Sequence, residues 1–157
     1  MFLYDVFLPE FIKIELESDN KDEVFEELVD RFCQTQKVGL RDEILDALWQ
    51  REHKMSTGIQ KGIAIPHGKI SSLENVFGVL GISKKGIDYD ALDGQPVYII
   101  FMLLAPLDDS ELHLRLLKRL AELLDNHQFY TDLLTQKDSK SANQIIKKYE
   151  DIYITSE

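Results

Sequence analysis

Of the four histidines in this chain, His53, His67, His113 and His127, one has neighbours that invite chemistry. His67 stands between Pro66 and Gly68, at the end of the short apolar run Ile63-Ala64-Ile65. Proline biases the residue before it towards an extended conformation, so Ile65 should reach the turn straight and deliver the imidazole at the end of a short strand. Gly68, with no side chain, lets its backbone N–H approach whatever the ring carries. Near neutral pH much of an imidazole population is unprotonated, with a lone pair free on one nitrogen while the other is held as N–H. Such a ring accepts a phosphoryl group without the separate base that serine needs. The P–N bond it forms stays reactive, which suits a relay. A histidine that merely caps a turn is the plain alternative.

Other chemistries fit this segment less well. Gly58, Gly62 and Gly68 suggest a nucleotide loop, but the Walker pattern needs four residues between its glycines, then Lys and Ser or Thr. Here five residues separate Gly62 from Gly68, and Ile70 follows Lys69. No G-x-G-x-x-G occurs. No two histidines have H-x-x-x-H spacing and no Cys-His pair has ligand spacing, so neither a metal nor a cofactor is expected. A metal-dependent hydrolase assembled from distant His and Asp is the competing enzyme class, and stoichiometric zinc in purified protein would reveal it. His53 and His127 stand among polar residues and read as surface groups. The single cysteine, Cys33, reads as a small buried apolar residue.

The distribution of charge favours the same segment. The chain of 157 residues has a net charge of -10, which argues against a nucleic-acid ligand and fits a basic protein partner better. Between Arg51 and Lys69, however, Arg51, Lys54, Lys61 and Lys69 face the single anion Glu52, a local +3. A small anion such as a phosphoryl group could be held there. Arg51 has the planar guanidinium suited to bidentate phosphate contact.

Elements that would position these residues can be read from periodicity. Residues 11 to 17 alternate apolar and charged side chains and predict a strand. Val24, Phe25, Leu28, Val29 and Phe32 recur at helical spacing behind an N-cap-type residue, Asn20 or Asp22. A second helix is expected from Leu40 to Arg51, with Ile44, Leu45, Leu48 and Trp49 inward. Residues 56 to 70 read as loop around the short run at Ile63. Val76 to Ile82 and Val97 to Leu104 predict strands, the second apolar throughout as a central strand should be. Asp108, with Glu111 three residues on, reads as a capping box for a helix whose stripe is Leu116, Leu117, Leu120, Ala121 and Leu124. Helices at His127 to Leu134 and Ser141 to Tyr149 complete one α/β domain over residues 1 to 157, a sandwich with a mixed central sheet flanked by helices. His113 precedes Leu116, Leu117 and Leu120 by three, four and seven residues, so it shares their inward face. It reads either as a core histidine or as a second group looking into the site. The longest apolar run is too short to span a bilayer, and the N-terminus lacks a signal-peptide pattern, so a cytoplasmic protein without membrane insertion is expected.

Ser56-Thr57-Gly58-Ile59, followed after two residues by Gly62-Ile63-Ala64-Ile65-Pro66-His67-Gly68, resembles the signature of the fructose/mannitol type of enzyme IIA domains. These belong to the phosphoenolpyruvate-dependent phosphotransferase system and include nitrogen-regulatory members. The resemblance extends back through Arg51-Glu52 and forward to His113-Leu114, Leu117 and Leu120-Ala121, so it covers nearly the whole chain. It implies that His67 is the phosphoryl acceptor, His113 the second active-site histidine and Arg51 the arginine of the site. It further implies phosphoryl transfer from the carrier protein HPr to His67 and, in transport members, on to an enzyme IIB. A regulatory adaptor that binds target proteins according to the state of His67 is the alternative. With no IIB, IIC or HPr segment within the 157 residues, a standalone piece is expected, which leaves both roles open.

Overall fold

The computed structural model describes residues 1 to 156. Helix α1 (Leu3–Val6) and a 3-10 turn (Pro9–Phe11) lead into β1 (Ile12–Lys13), α2 (Lys21–Gln36) and α3 (Arg41–Glu52). Strands β2 (Gly58–Gln60), β3 (Ile63–Ala64), β4 (His67–Lys69), β5 (Phe77–Ile87) and β6 (Val97–Ala105) follow. The chain continues through α4 (Ser110–Leu124), α5 (His127–Leu134) and α6 (Ser139–Thr155). The sheet runs β1-β5-β6-β3-β2, with β4 pairing β6 beyond β3. β5 and β6 are antiparallel, while β1 on β5, and β3 and β4 on β6, are parallel. The sheet is therefore mixed, as expected.

Strand β6 explains the layering. Its side chains alternate between two faces: Ile99, Phe101 and Leu103 join the core under α1, α4, α5 and α6, while Ile100, Met102 and Leu104 join the core under α2 and α3. A strand buried on both faces has no solvent side, hence its unbroken apolar sequence. Among the described residues no helix is long and apolar enough to cross a membrane.

Several expectations need correction. The strand expected over residues 11 to 17 shrinks to Ile12–Lys13. Phe11 belongs to the turn begun by Pro9, while Leu16 reaches the sheet through a single bond from its N–H to the Ile82 carbonyl at 3.0 Å. Asp108 does not cap α4. The N-cap position is Asp109, whose side chain makes no capping bond, and Lys69 Nζ instead donates to Ser110 Oγ at 2.6 Å across the first turn. On α4, Leu116 and Leu120 are buried with Leu123, whereas Ala121 is exposed. Cys33 is half-buried rather than enclosed, and burial pushes its thiol pKa up. Residues 56 to 70 hold the short strand expected at Ile63 and two more, β2 and β4, where loop was expected, and helix α6 is longer at both ends than Ser141 to Tyr149.

Candidate active site

Strand β4 sets the direction of every side chain that matters here. His67 pairs with Leu103, Gly68 with Leu104 and Lys69 with Ala105, so the alternation of β6 carries over. His67 and Lys69 fall on the α4 side. Gly68 falls on the α3 side, where a Cβ would stand 3.2 Å from the carbonyl carbon and Cβ of Ala47. The glycine is thus what lets α3 lie directly against β4. Its role in the fold is this close approach, beside any it has towards a bound group.

His67 is oriented by its own chain. Its Nδ1 lies 2.9 Å from the Ile65 carbonyl oxygen. A carbonyl can only accept, so Nδ1 carries the proton and Nε2 keeps its lone pair. Edge-on to this ring stands His113, with centroids 5.5 Å apart and planes at 86°. His113 is 4% exposed, and its Nε2 is buried without a hydrogen-bond partner. Burial lowers the pKa of His67; Arg51 lowers it further, against the Ile65 carbonyl and Glu52, which raise it. Burial, with the nearby His67 and Lys69, brings His113 down to about 4. Both rings are therefore held towards the neutral form.

Arg51, in the last turn of α3, donates from Nη1 to the Met55 carbonyl at 2.7 Å. That carbonyl lies beyond the helix, so the guanidinium does not cap α3. It lines one cleft of about 560 Å³ with His67, His113, Lys54 and Lys69, and Leu107 and Leu114 stand at its margin. A smaller hollow of about 190 Å³ also brings Arg51 and His67 together, beside Thr57 and Leu117. Among the described residues no carboxylate lies within ion-pair distance of Arg51, Lys54 or Lys69. Lys61 lines a different cavity with Lys118 and Tyr130. Glu52, the one anion of the segment, turns inward and is buried. The local positive excess is therefore concentrated on the cleft.

The structure thus brings together all three residues selected from the sequence and leaves His53 and His127 exposed elsewhere on the surface. Lys54 and Lys69 join the cleft as further cations. The signal for Lys69 was its position two residues after His67, which places both on one face once the segment is read as a strand rather than a loop. Among the described residues no group of three or more His, Cys, Asp or Glu could hold a metal ion.

Fold and cleft together define an α/β sandwich in which two histidine rings set edge to face, both held towards the neutral form, share a cleft with three unpaired cations. The chain matches the family described as "Phosphoenolpyruvate-dependent sugar phosphotransferase system, EIIA 2" over residues 5–149, and it belongs to that family. Its members are phosphotransferase components, and a phosphocarrier role follows at that level. The "PTS system fructose-specific EIIABC component" of Bacillus subtilis is 37% identical over 139 residues, 88% of this chain but 22% of that protein. The "Nitrogen regulatory protein" of Bradyrhizobium diazoefficiens is 32% identical over 146 residues, 93% of this chain and 95% of that one. The chain therefore spans about a fifth of the first relative and nearly all of the second. The crystal structure of the nitrogen regulatory protein IIA-Ntr from Neisseria meningitidis superposes with a TM-score of 0.85 at 26% identity, covering 92% of this chain and 98% of that one.

Proposed function

We propose that His67 accepts a phosphoryl group from the phosphohistidine of an HPr-type carrier in the cytoplasm and passes it to an enzyme IIB. The Nε2 lone pair attacks phosphorus as the donor's P–N bond breaks, and the donor ring departs with that electron pair. The acceptor ring becomes formally cationic while Nδ1–H stays on Ile65, whose carbonyl then accepts a charge-assisted bond. Negative charge on the equatorial oxygens meets Arg51, Lys54 and Lys69. His113, with its proton on Nε2, donates to one of those oxygens and so satisfies its unpartnered atom. Positioning and electrostatic stabilisation are most of what phosphoryl transfer needs.

The observation that carries this reading is the pairing of two neutral-leaning histidines with three unpaired cations in one cleft. Incubation with phosphoenolpyruvate, the general kinase of the system and HPr should place an acid-labile label on His67 alone. A folded His67→Ala variant that still labels fully would overturn the assignment.

A regulatory role, in which target proteins are bound according to the state of His67, is favoured by the end-to-end match with a nitrogen regulatory protein. Chasing labelled protein with an enzyme IIB separates the two. Rapid loss of label supports transport, and retention supports regulation.

A further inference from the structure

Glu52 takes no part in the transfer just described, yet the contacts that hold both functional side chains meet at it. Its side chain is 1% exposed, and its Oε2 pairs with Lys21 Nζ at 3.0 Å. Oε2 also accepts from the Thr57 N–H at 2.8 Å, and Oε1 accepts from Thr57 Oγ1 at 2.6 Å. The hydroxyl of the wholly buried Tyr89 lies 2.7 Å from Thr57 Oγ1, and Lys21 Nζ lies 4.7 Å from the centre of the Tyr89 ring. From this knot two paths lead to the cleft. Arg51, next to Glu52 in the chain, rests its guanidinium on Met55, inside the turn that Glu52 closes through Thr57. On the other path, the Thr57 carbonyl accepts from the Ile65 N–H at 3.0 Å, and the Ile65 carbonyl fixes His67 Nδ1.

We propose that Glu52, neutralised by Lys21, is a positioning residue that holds Thr57 so that Arg51 and His67 face the same phosphoryl group. The proposal rests on the reading of His67 as acceptor. A carboxylate open to the cleft would repel the incoming group, whereas this one is turned away and paired. Burying an ammonium and a carboxylate incurs a desolvation cost that their attraction offsets only in good geometry, so the pair's value lies in what it holds in place. Thr57 is the hinge of the device, because its side chain and N–H grip Glu52 while its carbonyl grips Ile65.

Three variants test this: Glu52→Gln, Thr57→Val and Thr57→Ser. The readouts are the tautomer and titration of the His67 ring by 15N NMR on unphosphorylated protein, kcat and KM with phospho-HPr, and thermal unfolding. The cleft around that ring holds Arg51, Lys54, Lys69 and His113, and Glu52 acts on it from behind, through the buried side. Glu52→Gln should move the His67 midpoint down, because a negative charge is lost beside it. Glu52→Gln and Thr57→Val should both loosen the Nδ1–H tautomer and lower kcat about tenfold, with KM within about twofold, as expected for misplaced reacting groups. Thr57→Ser, which keeps the hydroxyl, should restore wild-type values. If Glu52→Gln fails to fold, Thr57→Val, which retains the ion pair, carries the test. A lower melting temperature with unchanged tautomer and kcat would make the knot purely structural and overturn the proposal. If wild-type protein takes no label, the acceptor reading fails by itself, and the ring tautomer still decides the positioning role.

Discussion

His113 is the residue whose two sequence readings, core histidine or part of the site, lead to opposite outcomes. Burial is the leading cause of its depressed pKa, ahead of the charges of His67 and Lys69. The unfolded chain binds a proton at about 6.5, whereas the folded protein resists until about 4. Stability is therefore unaffected above about pH 6.5 and falls as pH drops towards 4. At about 1.4 kcal/mol per unit, the effect is on the order of 3–4 kcal/mol at most. His113→Gln should flatten this part of the profile in urea unfolding measured between pH 7 and 4. In transfer, His113→Ala should leave His67 able to accept a phosphoryl group but slow the step by about tenfold or more, through loss of one oxygen contact. His113→Gln, which keeps a donor, should lose less in single-turnover measurements with phospho-HPr. Transfer by His113→Ala at the wild-type rate, with only a lower melting temperature, would leave this histidine as core alone.

At the scale of elements, the site depends on how closely α3 approaches β4. Gly68→Ala would push its new Cβ against the Ala47 backbone at 3.2–3.3 Å, and helix α3 carries Arg51. Overpacking of this kind costs about 1–3 kcal/mol. The expected outcome is a lower melting temperature together with slower phosphoryl uptake, because a shifted α3 moves the guanidinium off the His67 axis. An unchanged rate in a destabilised variant would show that the strand and helix can part without moving Arg51. That close contact was not legible in the sequence, where Gly68 suggested only backbone access to a bound group. Long amphipathic segments were legible: α2 starts behind Asn20, whose side chain accepts from the Glu23 N–H, and α5 spans His127–Leu134 as expected. Short strands were less so: the apolar run before Pro66 marked β3, but β2 and β4 hold three residues each, too few for a period to emerge, and β4 is fixed by a partner distant in sequence. β3 pairs with β6 in parallel, which sends the chain towards α4 and His113. His67, however, opens a further strand beside Leu103 rather than lying beyond a strand end. The buried Glu52 was counted only as an anion, since its burial follows from Thr57, Tyr89 and Lys21 lying against it in space.

Over the whole molecule, a strongly acidic chain sets three unpaired cations, Arg51, Lys54 and Lys69, around one cleft. This asymmetry draws an anionic group towards His67 and weakens with salt, as exposed electrostatics do. Charge alone does not seat a partner, and the rim supplies a complementary feature. Leu107 and Leu114 are 57% and 67% exposed at the edge of the cleft, where they gain nothing for the core. Apolar side chains so placed around a charged centre fit the contact surface of a carrier whose phosphohistidine must enter the cleft. Leu114→Asp should therefore raise KM for phospho-HPr about tenfold, roughly the loss of one well-packed interface side chain. kcat should stay within about twofold, because Leu114 makes no contact required by the transfer. The melting temperature should hardly move, since an exposed substitution usually changes stability by about 0.5 kcal/mol or less. Ile152, 51% exposed on α6 and not part of the cleft, provides the control. If Ile152→Asp raises KM as much as Leu114→Asp does, the effect is one of added negative charge, and the leucine rim is not where the carrier docks.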